Sequence, residues 1–177
     1  MSWFAVTTRP NLERGATTAL SAKGLEAYLP TYRVRRRWSD RMKELEMPVF
    51  SGYTFCRPDP VRRVLPTPGV TGIVSFGNVP AMIDDAEIEA VRRAVESGLP
   101  LEPWPFVREG QSVAIVYGPL AGMEGQVVKV KNQYRLVVSI SMLQRSMSVE
   151  IDREWARPAN PIAKDNLASA VCTPIAQ

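Results

Sequence analysis

The 177-residue sequence contains no histidine. That absence removes the commonest general base and the commonest transition-metal ligand together. Ser-His and Cys-His nucleophile systems go with it. Only two cysteines occur, Cys56 and Cys172, far apart and isolated. They form neither a thiolate metal set nor a disulfide framework, and they suit a reduced, cytoplasmic setting. Phosphate-cradling loops are missing as well: there is no G-x-x-x-x-G-K-[ST] and no G-x-G-x-x-G. No apolar run approaches the ~18–20 residues that a membrane-spanning helix needs. The opening MSWFAVTTRPNLERG lacks the charged and long apolar segments of a secretory signal. The paired carboxylates Asp84 and Asp85 fall at a helix start, where capping accounts for them. The sequence therefore points away from an enzyme, from a metal and from any cofactor.

What is present is an ordinary globular composition, 45% hydrophobic, long enough for one large domain or two small ones. The formal net charge of +4 is unevenly placed. Residues 1–63 hold 12 Lys/Arg against 6 Asp/Glu, a local net of +6, whereas residues 84–97 hold five acids against two arginines, a local net of −3. One basic and one acidic face are expected, which suits contact with nucleic acid or with an acidic protein.

Along the chain, WFAVTT at 3–8 reads as a strand. Residues 10–23 read as a helix with Leu12, Ala16, Ala19 and Leu20 on one face, Pro10 in the first turn and Gly24 after the end. Strand 26–36, a polar hairpin tip at 37–46, and strand 47–57 interrupted at Ser51-Gly52 follow. A short helix at 60–66 and a strand at 70–75 come next. Asp84–Ser97 is a helix with the stripe Ile88, Val91 and Val95. This order implies an α+β sandwich on a mainly antiparallel sheet, over residues 1–98. Residues 99–106 carry three prolines and read as a linker. From 107 to 156 the apolar residues alternate at period two, as in a small all-β barrel. Residues 157–177 read as a flexible tail.

Within the barrel, Gly118, Gly122 and Gly125 stand between two alternating runs, Val113–Ile115–Tyr117 and Val128–Val130. Glycines there mark a sharp loop needing positive φ or close approach. The stretch 107–131 resembles a KOW motif, the first half of an SH3-like small barrel. WFAV at 3–6 resembles a W-Y-x-V opening, FSGYTF at 50–55 an F-P-G-Y segment, and TPGVTGIV at 67–74 and GPLAGMEG at 118–125 two further signatures in matching order. Together they resemble the NusG family of transcription elongation factors. The implied fold is an α+β N-terminal NGN-type sandwich followed by an all-β KOW barrel. Ser51 in place of the family proline and the stretch VSFGNVPAMI resemble specialised, RfaH-like paralogs.

The resemblance implies a transcription elongation and antitermination factor. Phe4, Phe50, Tyr53 and Phe55 would receive the β′ clamp helices of RNA polymerase, and the competing reading is that they are hydrophobic core. Alternation puts Tyr53 and Phe55 on one face of their strand. Arg35, Arg36, Arg37 and Trp38, with Arg33, form the densest basic cluster, suited to nucleic acid or to a solvated hairpin. Arg9 falls where RfaH-like members meet non-template DNA. Arg62 and Arg63 correspond to a region facing the polymerase β subunit, and an ordinary helix surface is the competing reading. Leu120, Met123, Met142, Leu143 and Arg145 correspond to the KOW surface that binds Rho or the ribosomal protein NusE, and the competing reading is that Leu120 and Met142 merely close the barrel. Leu and Met there lose aromatic stacking, so weak Rho binding is expected, while ribosome coupling stays open. Gly122 and Gly125 each cost about 1 kcal/mol in a helix, so a constitutive barrel is expected. The factor is expected to act as a cytoplasmic monomer. The competing reading is an RNA- or ribosome-binding KOW protein without a polymerase role.

Overall fold

The computed structural model describes residues 2–38, 41–106, 111–130 and 133–159. Strand β1, Trp3–Thr8, follows the period-two reading to the residue. It lies inside an antiparallel sheet whose order is β2-β5-β1-β6, with β2 at Glu26–Tyr28, β5 at Tyr53–Arg57 and β6 at Val70–Ile73. A hairpin projects between β2 and β5, made of β3, Thr31–Trp38, and β4, Arg41–Pro48. The expected hairpin tip at 37–46 is thus mostly ladder. Opposite charges directly across it, Arg33 with Glu46 and Arg35 with Glu44, favour the pairing. Two short strands, β7 at Ser75–Phe76 and β8 at Val79–Pro80, pair with each other, and β9, Met82–Ile83, returns to pair with β1.

Helix α1 spans Glu13–Ala22, shorter than the 10–23 expected. Asn11 sits at φ 63°, a left-handed conformation that no helix continues through. Leu12 precedes the helix without a side-chain cap. Buried Glu13 turns away instead and accepts the Gly52 N–H at 2.9 Å, tying the start of α1 to the turn before β5. Helix α2, Asp85–Glu96, is capped as expected: the Asp84 carboxylate accepts the Ala86 N–H at 2.9 Å.

The two helices cover opposite faces of the sheet. On the α1 face, Val6, Leu20, Leu25, Cys56 and Val64 form one core. On the other, Trp3, Ala5 and Phe55 join Ile88, Val91 and Ala94 of α2. That second core continues into the C-terminal sheet through Val113, Ile115, Leu136, Ile140, Met147 and Val149.

The C-terminal sheet is antiparallel, ordered β10-β14-β13-β12-β11-β15. Its strands are β10, Leu101–Pro105; β11, Gln111–Ile115; β12, Glu124–Val130; β13, Gln133–Ile140; β14, Arg145–Ile151; and β15, Ala156–Pro158. The expected linker is therefore corrected: residues 101–105 are a strand paired with β14 from Leu101↔Val149 to Pro105↔Arg145. Prolines suggested a free connector, but an edge strand tolerates proline where its missing N–H faces outward. Residues 156–158, assigned in part to the tail, pair with β11.

Two glycines of the 118–125 loop are explained by close approach. Gly118, at φ 79°, has the Trp155 ring against it: a Cβ there would stand 2.9 Å from the ring. A Cβ on Gly125 would come 2.9 Å from Leu136 Cδ1. The alternation stops earlier than the sequence suggested. Ile115 is buried, but Val116 and Tyr117 are both exposed.

Candidate interaction surface

The four aromatics expected to form one pocket do not share a face. Across β1 and β5, Ala5 pairs with Phe55 and Thr7 with Tyr53, whereas Phe4 pairs with Cys56. Cys56 belongs to the α1 core, so Phe4 lies on that side of the sheet and leaves the proposed pocket. Alternation phases residues within one strand. The relative phase of two strands comes only from their register. Phe50 and Phe55 remain together, ring centroids 5.7 Å apart and edge to face, and both are fully buried. Tyr53 stays half-buried at the rim of this pair.

What covers that rim is the C-terminal sheet. The Arg145 guanidinium stands 5.3 Å from the centre of the Tyr53 ring, a cation–π contact. Arg93 of α2 donates from Nη2 to the Ala121 carbonyl at 2.6 Å. Glu87 of α2 accepts the Ser141 N–H at 3.2 Å. A crevice of about 520 Å³ remains beside these bonds, lined by Glu87 and Ala90 on one side and Val137, Ser139 and Ser141 on the other.

Of the five residues expected to form the C-terminal partner surface, Arg145 stands at this junction, and Met142 and Leu143 follow Ser141, whose N–H reaches Glu87. Leu120 and Met123 flank Ala121 and are 0% and 4% exposed. Met142 and Leu143 follow Ser141 in a 3₁₀ turn, Ser141–Leu143, and pack half-buried into the shared core. Arg145 lies over Tyr53. In this arrangement Leu120 and Met123 are closed to an outside partner, which for Leu120 agrees with the reading that it closes the barrel.

Helix α2 is held firmly to the N-terminal sheet. Arg57 of β5 donates to Asp85 at 2.8 Å and to Glu26 of β2 at 3.2 Å. Its guanidinium stands 4.9 Å from the Trp3 ring centre, with Arg92 of α2 at 5.9 Å. Arg92 also lies 5.1 Å from the Tyr28 ring, whose hydroxyl is pushed up to about 12 by burial. Sequence reading missed this cluster because an arginine in a strand and one in a helix carry no mark of stacking on a shared tryptophan.

The basic hairpin divides by face. Arg33 and Arg35 stand opposite Glu46 and Glu44. Glu46 is held below its ordinary carboxylate value by hydrogen bonds from Arg14 and Thr31. On the alternate face Arg36 stands opposite Lys43, and Trp38 opposite Arg41 in register. Of the cluster expected to meet nucleic acid, Arg35 is therefore opposed by a carboxylate, Arg37 by Met42, and Arg36 by a second cation. Arg36, Arg41 and Lys43 are exposed. Arg9 is exposed in the turn after β1, and Arg62 and Arg63 are exposed at a 3₁₀ turn, Val61–Arg63. Arg63 is engaged locally, donating to the Lys23 carbonyl at 2.6 Å.

No helix among the described residues is long and apolar enough to cross a membrane. The chain is similar to the transcription termination/antitermination protein NusG of Lactococcus lactis subsp. lactis, 29% identical over 167 residues, covering 85% of this chain and 89% of that protein. It is 27% identical over 151 residues to the protein of the same name from Pseudomonas aeruginosa, covering 81% of this chain and 85% of that one. Among solved structures, one described as domain interaction in Thermotoga maritima NusG aligns with a TM-score of 0.54 at 21% identity, over 90% of this chain and 97% of that one, which supports the fold. The family described as transcription termination factor nusG matches residues 1–92, more than half of the sequence. The chain belongs to the NusG family, whose members are transcription termination and antitermination factors rather than enzymes.

Proposed function

We propose that this chain is a specialised NusG paralog that binds RNA polymerase through its N-terminal α+β unit and suppresses pausing or termination. Its C-terminal β unit, a KOW-type barrel in this reading, docks a further partner such as NusE. The observation that carries the proposal is Tyr53: an aromatic at the rim of a buried Phe50–Phe55 pair, on the β1–β5 face, within the family-matched segment. An aromatic anchor beside an apolar patch is where protein interfaces concentrate affinity. The β′ clamp helices are the partner assigned to it, with Phe50 and Phe55 shaping the pocket. Arg36, Arg41 and Lys43 add a cationic hairpin face suited to the phosphates of upstream or non-template DNA, with Arg9 nearer α1.

The test is the affinity of the full chain for core RNA polymerase. Tyr53→Ala is expected to weaken binding tenfold or more. Arg145→Ala removes the same interdomain contact while keeping the tyrosine, so its binding should not fall. If both variants bind as the wild type does, the polymerase reading fails, and an RNA- or ribosome-binding role for the C-terminal unit takes its place.

A further inference from the structure

Three turns of one kind meet at the end of β1. In each, the carbonyl of the first residue accepts the N–H of the fourth: Arg9 from Leu12, Phe50 from Tyr53 and Thr67 from Val70, all at 3.1 Å. In each, the third residue has positive φ: Asn11 at 63°, Gly52 at 84° and Gly69 at 84°. Pro10, Ser51 and Pro68, in second place, do not share that sign. This is the type II pattern. Main-chain bonds join the three turns to β1. The Gly52 carbonyl accepts the Thr8 N–H at 2.9 Å, and the Gly69 carbonyl accepts the Arg9 N–H at 2.9 Å.

The turns differ in their second residue. Proline there presets φ and leaves the chain less freedom to lose on folding. Pro10 and Pro68 serve two turns in this way, and the third has Ser51. That third turn carries Phe50 and Tyr53 at its ends. It is also the turn that a side chain holds. Glu13, 5% exposed, accepts the Gly52 N–H at 2.9 Å. Gly52 is thus gripped by Glu13 at its N–H and by Thr8 at its carbonyl. No Lys or Arg among the described residues lies within ion-pair distance of Glu13. Burying a carboxyl with no cation beside it is unfavourable unless its hydrogen bonds are made. The start of α1 does not require that burial, since an exposed acid in the first turn serves a helix equally well. One turn further along α1, Thr17 bonds Thr54 at 2.7 Å, so α1 holds β5 on both sides of Tyr53.

We propose that Glu13 is a positioning residue for the polymerase-facing surface: its carboxyl does for the Phe50–Tyr53 turn what proline does for the other two, and so fixes Tyr53 at the rim of the Phe50–Phe55 pair. This rests on the polymerase reading above. A looser turn spreads the Tyr53 ring over several positions, and a partner must then order it on binding, which weakens affinity. Glu13 acts from the α1 side of the sheet, opposite Tyr53, so it touches no partner itself.

The test measures affinity of the full chain for core RNA polymerase, with amide exchange at Gly52 read on the same variants. Glu13→Met keeps the bulk and removes the acceptor. It should bind about tenfold more weakly and exchange faster at Gly52. Glu13→Ser is too short to reach Gly52 but suits a helix start, and it should weaken binding in the same direction. It decides the matter if Glu13→Met does not fold. Glu13→Gln keeps a carbonyl acceptor and should bind as the wild type does. Adding Ser51→Pro to either weakened variant should restore affinity, because proline stiffens the turn and does nothing for the helix start. Wild-type binding by Glu13→Met and Glu13→Ser, or a loss that Ser51→Pro leaves unrepaired, overturns the positioning role. If Tyr53→Ala still weakens binding in that case, the polymerase reading survives alone. If Tyr53→Ala is silent, the polymerase reading falls and the positioning role falls with it, whatever the Glu13 variants do.

Discussion

The two faces of the N-terminal sheet are buried to the same degree and by different means. On one, Val6, Leu20, Leu25, Cys56 and Val64 are sealed by α1, which follows β1 directly in the chain. On the other, Trp3, Ala5 and Phe55 share a core with α2 and, beyond it, with a sheet that begins past residue 100. The first core persists as long as the unit is folded. The second is continuous only while the C-terminal sheet stays in place. Low exposure thus has two meanings here: Leu20 and Val138 are both buried, but Val138 lines the crevice across from Ala90 of α2, a wall that can move away.

The largest test of that contrast is to empty both sites. Leu20→Ala should cost about 2–5 kcal/mol in urea unfolding, the usual range for a large-to-small change in a rigid core. Val138→Ala should cost less, under about 2 kcal/mol, since it borders a crevice and the chain can relieve the gap by separating its two units. It should also raise the radius of gyration in solution scattering. Equal costs with no expansion would mean that the shared core is as fixed as the sealed one.

A smaller effect is expected at the polar rim of the shared face. The Arg93 bond to the Ala121 carbonyl is charge-assisted and bridges the two units. Hydrogen bonds to charged groups are worth about 1.5–3 kcal/mol when buried and less at an open rim. Arg93→Ala should lower the closed fraction by about 1 kcal/mol, seen as faster amide exchange at Ser141 and Met142. Amides of β5 that face the α1 side should keep their protection. Loss of protection on both sides would erase the distinction between the faces.

Much of this arrangement was legible in the chain, and the failures share a cause. β1, α2 and the Asp84 cap follow from alternation, a helical stripe and a capping carboxylate, all of which are local. β10 was misread because three prolines in a short span usually mean a connector. Its strand character depends on β14, more than 40 residues later, offering an edge on which those prolines lose no bond. Phe4 joins Tyr53 only in what the resemblance implies, and the register between β1 and β5 separates them, pairing Phe4 with Cys56. The aromatic candidates Tyr53 and Phe55 were correctly put on one face, but the sequence held no sign that Arg145 would stand over it. The Arg93 bond to the Ala121 carbonyl is invisible for a like reason: its two ends lie 28 residues apart in separate units.

The smallest expected effect is a reaction that should barely proceed. Cys56 belongs to the sealed face, and its thiol is pushed up to about 11 by burial, with Glu26 nearby adding to the rise. At pH 8 the thiolate fraction is then about a hundredfold below that of an ordinary cysteine, before any loss from poor access. In a Cys172→Ser background, alkylation of Cys56 should be slow in the wild type and equally slow in Arg93→Ala. Opening the shared face leaves the α1 side untouched. The sign of the pH dependence follows from the same shift. The unfolded chain releases this proton first, so the fold loses stability as pH climbs from about 9 towards 11, and Tyr28 extends the loss towards 12. Faster alkylation in Arg93→Ala at pH 8 would show that loosening the shared face loosens α1 as well, and that the two faces form one cooperative unit.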